Sequence, residues 1–143
     1  SSSRFDYNQS VVSNMSPTAR ICLDKLLDKT EIHRTEAVEQ LKDLSLAEHK
    51  NIAKVLYEKM KKEDKIDNDL FKSYVKVISR KDMMAEALSQ LKSIPVQLYS
   101  KTQIAMLDSI TIFISDEEKA ELEKYFGDEF GKQQNIINRL KKK

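Results

Sequence analysis

The chain has 143 residues, with 25 lysines and arginines against 23 acids, a formal net charge of +2 at pH 7. Charged residues make up 34 % and apolar residues 40 %, with two Gly, two Pro and no Trp. That mix is too apolar for wholesale disorder and too poor in glycine for the usual nucleotide-binding α/β fold. It favours helices, and a chain of this size buries about two thirds of its surface, enough for a core without metal or disulfides.

Residues 1–15 mix Ser, Asn, Gln and Tyr without a period and are expected to form a flexible N-terminal arm. The opening Ser1-Ser2-Ser3, with no initiator Met, reads as a tag scar or the start of a domain excised from a longer protein. Order is expected from Ser16-Pro17, a capping residue followed by proline at the first helical position, where its missing N–H costs nothing. From there, 16–143 reads as a single all-helical interaction domain. Ser45-Leu46-Ala47-Glu48 and Ser115-Asp116-Glu117-Glu118 are capping boxes, and Ser79/Asp82, Ser100/Gln103 and Asp67–Asp69 are weaker starts. The implied helices run about 17–29, 32–44, 46–64, 69–79, 81–93, 100–113, 116–126 and 129–140. Pro95 separates two of them, and Gly127 and Gly131 read as a terminator and a kink. The β-branched run Thr111–Ile114 has no second strand to pair with and is expected to be the buried end of a helix.

The fold class is therefore all-α, with seven or eight short helices arranged as a compact bundle or as two solenoid-like three-helix repeat units. The second option comes from an internal echo. Residues Ala37 to Leu46 align with Ala87 to Val96 at an offset of 50, with Ala, Gln, Leu and Lys identical, which suggests units 32–79 and 81–126.

Catalytic chemistry finds little footing. One cysteine, Cys22, and two histidines, His33 and His49, lack the spacing of a zinc site or a nucleophile elbow, and no phosphate-cradling glycine loop occurs. Carboxylates paired one turn apart, Glu117 with Glu121 and Asp24 with Asp28, read as solvated helix faces. We expect no enzyme activity, no catalytic residue, no metal and no cofactor. A lone cysteine makes no internal disulfide and suggests an intracellular setting, cytoplasm or nucleus. The longest apolar run, Ile110 to Ile114, is five residues and includes Thr111, far short of a transmembrane span.

Charge is spread unevenly. Lys50 to Arg80 and Lys81 carry ten bases against five acids, whereas Asp108 to Glu129 carry eight acids against two lysines. The expected function is a non-enzymatic protein–protein interaction or adaptor domain within a larger complex, accepting a helix or peptide in a groove between helices. Tyr57, Met83, Met84 and Tyr99 are expected at the partner contact, because Tyr and Met suit adaptable interfaces. The alternative is an RNA- or DNA-associated accessory protein using a lysine-rich face of Lys54, Lys61, Lys65, Lys72, Lys76 and Arg80. In the first reading the same lysines orient acidic partner residues and raise the on-rate more than the affinity.

Overall fold

A computed structural model describes residues 14–94 and 98–121, and these are helical without a strand. The expected arm is therefore outside the described residues up to residue 13, as are Tyr125, both glycines and the helix expected over 129–140. Met15, the last position of the expected arm but one of the described residues, is buried. The all-α fold class holds among the described residues. No helix among them is long and apolar enough to cross a membrane.

The chain divides after Val77 into two units. In the first, α1 spans Pro17–Leu26, capped by Ser16 Oγ, which accepts the Ala19 N–H at 3.1 Å. Ala19, Cys22, Leu23 and Leu26 form its buried stripe. It stops three residues short of the expected end because Asp28 organises a turn there, its carboxylate accepting the Thr30 N–H at 2.7 Å. Helix α2, Glu31–Gln40, continues as a 3₁₀ turn over Leu41–Asp43. It packs on α1 through Ala37, whose carbonyl accepts a hydrogen bond from Cys22 Sγ at 3.4 Å, and a Lys25–Glu36 ion pair at 3.0 Å spans the same two helices.

Helix α3, Leu46–Lys61, opens with the expected capping box: Ser45 Oγ accepts the Glu48 N–H and the Glu48 carboxylate accepts the Ser45 N–H. Glu48 also accepts from the Ser16 hydroxyl, so one carboxylate serves the starts of two helices. The Ser16 hydrogen bond, then those of Ser45, hold its pKa below the usual carboxylate range. Helix α4, Asn68–Ile78, is capped by Asp67, whose Oδ1 accepts the Asp69 and Leu70 N–H groups at 2.7 and 3.1 Å. It is buried on most of its circumference by Leu70, Phe71, Ser73, Tyr74, Val75, Val77 and Ile78, leaving a narrow outward strip with Lys72 and Lys76. Ser73 is buried without penalty because its hydroxyl donates to the Leu26 carbonyl at 3.0 Å.

In the second unit a 3₁₀ turn over Lys81–Met83 leads into α5, Met84–Lys92, followed by α6, Lys101–Leu107. A second 3₁₀ segment, Asp108–Phe113, follows. Helix α7 begins after Ser115, which accepts the Glu118 N–H at 3.1 Å while Glu118 accepts the Ser115 N–H at 2.9 Å, and is described over 116–121. The run Thr111–Ile114 is thus helical up to Phe113 rather than a strand. Its expected burial fails at Ile112, which is 81 % exposed between buried Ile110 and Ile114. A period of three residues per turn brings Ile110 into line with Phe113 and rotates Ile112 outward. The positions of the internal echo share their environment: Ala37 and Ala87, Leu41 and Leu91, and Leu44 and Ile94 are all buried.

Candidate functional site

The residues expected at a partner contact are mostly core. Met83 and Met84 are 1 % and 3 % exposed, which corrects their expected exposure. That expectation treated 81–93 as one helix, on which neighbouring residues diverge by a constant angle. The change from a 3₁₀ turn to α5 at this junction shifts the phase, and both side chains turn inward. Tyr57 is 9 % exposed, covered in part by Lys61, whose Nζ lies 5.1 Å from the ring centroid, so it too is corrected to a packed residue. Tyr99 is half-buried, and its hydroxyl donates to the Leu91 carbonyl at 3.2 Å, bracing the end of α5.

The basic residues divide differently. Lys54, Lys61, Lys65, Lys72 and Lys76, all in the first unit, are exposed. Lys54, Lys65, Lys72 and Lys76 form no ion pair among the described residues. Arg80 belongs to the second unit and is half-buried. It grips Asp82 through two bonds, Nε to Oδ1 at 3.0 Å and Nη2 to Oδ2 at 2.8 Å, so its fork is committed to its own turn.

The groups that could act as nucleophile, base or metal ligand each have a local partner. Burial pushes the Cys22 thiol up to about 11, with Lys25 pulling weakly the other way. His49 is buried on α3, and its Nδ1–H donates to the Ser45 carbonyl at 3.1 Å. His33 Nδ1 donates to Asp28 Oδ2 at 3.0 Å. Among the described residues no three His, Cys, Asp or Glu side chains are grouped to hold a metal ion.

Sequence reasoning missed a cleft of about 250 Å³ in the first unit, where the end of α1, the end of α3 and the start of α4 meet. Leu26, Leu27 and Leu70 supply its apolar lining, and Asp28, Lys29, Lys59, Glu63, Asp67 and Asp69 complete it. Three of those carboxylates are fixed in position. Asp28 is held by Thr30 and His33, Asp67 by the start of α4, and Asp69 by Arg34, whose Nη2 reaches it at 3.3 Å while its Nη1 donates to the Asp28 carbonyl at 3.0 Å. Arg34 thus ties the α1–α2 turn to the first turn of α4. The Thr30 backbone N–H, and after it His33, bring Asp28 down from its ordinary 3.8 to about 2. A shallower groove of about 510 Å³ in the second unit runs between α5 and α7 along Ala85, Leu88, Ser89, Lys92, Ser93, Glu118 and Glu121, with Lys92 ion-paired to Glu121.

The Asp28 shift carries a pH dependence with a definite sign. A carboxylate more acidic in the folded chain adds stability that is present above pH 3.8 and is lost as pH falls through about 2. Urea unfolding at pH 7 is expected to find Asp28→Asn less stable than the parent chain. The difference should shrink from pH 4 downward and vanish near pH 2, and an equal difference at every pH would mean that the carboxylate's charge plays no part.

No family model matches the chain, and neither a curated protein nor a solved structure is significantly similar to it.

Proposed function

We propose that the protein is a non-enzymatic interaction module that seats a helix or peptide segment of another protein in the leucine-lined cleft of the first unit. The observation that carries this reading is the cleft itself, an apolar floor beneath carboxylates already fixed by the fold. Fixed groups lose little freedom on binding, so more of the contact energy appears as affinity. At about 250 Å³ the cleft falls below the size usual for a cofactor site and suits one large apolar side chain. Burying such an anchor contributes about 1.5–3 kcal/mol. The local partners of Cys22, His33 and His49 further favour binding over catalysis.

The test is capture of partner proteins by the intact chain beside its variants. Leu27 is only half-buried, so Leu27→Glu places a charge on the cleft floor while leaving the circular dichroism spectrum and melting temperature close to the parent's. Proteins retained by the parent chain and by Lys72→Glu, but lost from Leu27→Glu, are the expected outcome. Retention by Leu27→Glu at the parent's level would remove the cleft from the reading.

A further inference from the structure

We infer that the first unit carries a second surface, separate from the cleft, on which Lys54, Lys61 and Lys65 together with Lys72 and Lys76 hold the phosphate backbone of a nucleic acid without reading its bases. The inference begins with charge that the fold leaves unneutralised. The acids nearest the α4 lysines in sequence are engaged elsewhere: Asp67 caps the helix and Asp69 faces Arg34. Glu48, the carboxylate in the first turn of α3, is engaged by Ser16 and Ser45. Lys72 and Lys76 therefore stand one turn apart on the exposed strip of α4, about 6 Å along the axis, with no described acid paired to them.

On α3 the buried residues leave one outward side, which Lys50, Lys54 and Lys61 share with Ala47, Asn51 and Glu58. Glu58 is a single carboxylate between Lys54 and Lys61, so the strip keeps a positive excess. Lys62 and Lys65 add two lysines in the segment leading to α4, where exposed Glu63 and Asp64 stand between them, so the positive excess rests on the α3 and α4 strips.

The composition of this surface selects its ligand. A protein partner needs a packed anchor at the centre of the contact, and exposed lysine–carboxylate pairs alone contribute about 0.2–1 kcal/mol each. The outward side of α3 offers no such anchor, because Tyr57 is packed away; on α4, Phe71 and Tyr74 are fully buried. A polyphosphate needs none, since each lysine that neutralises a phosphate releases condensed counterions. The same ring burial removes base stacking from these helices, and lysine ammonium groups lack the planar fork that reads guanine. What remains is backbone contact, indifferent to sequence and sensitive to salt.

The experiment is fluorescence anisotropy of the full chain with random-sequence RNA and DNA of about 20 nucleotides, at about 50 and 200 mM salt. Five single-strand phosphate contacts, one for each lysine, give a log–log slope of about −3.5 and a loss of about 100-fold over that range. Lys54→Glu and Lys72→Glu are each expected to weaken binding and reduce the slope by about 0.7. Lys42→Glu makes the same change of charge where Lys42 pairs with Glu39, and should keep the parent slope. Leu27→Glu should bind nucleic acid as the parent does, so this surface and the cleft fail independently. No binding at the lower salt, equal loss from Lys42→Glu, or equal affinity for poly-L-glutamate of similar length would each overturn the assignment. The last of these would identify an acidic protein as the ligand.

Discussion

Replacing Phe71 by alanine is expected to lower the unfolding free energy of the chain by about 3–5 kcal/mol, the usual cost of emptying a buried phenyl site. The size follows from where α4 sits. Its sequence, Leu70-Phe71-Lys72-Ser73-Tyr74-Val75-Lys76-Val77-Ile78, alternates so that only the two lysines escape burial, and Phe71 and Tyr74 are fully enclosed. Their rings meet with centroids 6.3 Å apart at a 48° tilt, so removing the first ring strips contacts from the second. Neighbours engaged in this way collapse poorly into the space, and the cavity adds to the lost transfer energy. Against a total stability of about 5–15 kcal/mol, that loss leaves a chain partly unfolded at 37 °C. Phe71→Leu retains most of the volume and should cost well under half as much. Lys76→Ala on the exposed strip should stay within about 0.5 kcal/mol. Urea unfolding of the three variants checks the order, and a Phe71→Ala loss below about 1 kcal/mol would contradict the packing described for α4.

Where the sequence states its boundaries chemically, structure follows them closely. Ser16-Pro17, Ser45 with Glu48, and Ser115 with Glu118 are each met by the side-chain bonds that their residue types imply. Spacing was a weaker guide wherever the helical period changes. The 3₁₀ turns at Leu41–Asp43, Lys81–Met83 and Asp108–Phe113 break the 100° rotation on which stripe reading depends. Met83, Met84 and Ile112, whose exposure departs from what stripe spacing predicts, all lie at such places. Tyr57 differs from expectation for another reason: it borders the buried stripe of α3, and Lys61, one turn later on the same face, lies over its ring.

The cleft was illegible for a deeper reason. Its residues come from the ends of three helices, spread from Leu26 to Leu70, and no local pattern records that three ends converge. Its carboxylates could be recognised singly as turn and cap residues. Only the Arg34 link between the Asp28 carbonyl and Asp69 joins them into one rim. The same commitments engage Asp67 and Asp69, the acids nearest Lys72 in sequence, and so leave the α4 lysines without an ion pair among the described residues. One set of helix-capping interactions therefore underlies both proposed surfaces: the cleft by placing its acids, and the lysine face by withdrawing acids from it. Leu27→Glu and Lys72→Glu separate the two because neither residue takes part in a hydrogen bond of that network.

Cys22 offers the second large effect. In the folded chain its reaction with a thiol-specific reagent at pH 8 should be at least 100-fold slower than in urea. The thiolate is the reacting species, and raising the thiol from 9.0 to about 11 reduces its share at pH 8 by about 100-fold. Full burial under α2, with Sγ donating to the Ala37 carbonyl, slows access further. Modification should therefore proceed through opening of the α1–α2 pair, so its rate should follow urea concentration, whereas reaction in place would follow pH alone. The α2 side of the contact is thin, Ala37 being the one fully buried residue of that helix, and Ala37→Gly should accelerate labelling by loosening the helix over the thiol. Fast labelling of the folded parent chain would place an accessible thiolate in the first unit and revive a nucleophilic role for Cys22. Slow labelling that rises with urea assigns the cysteine to packing between α1, whose end lines the cleft, and α2.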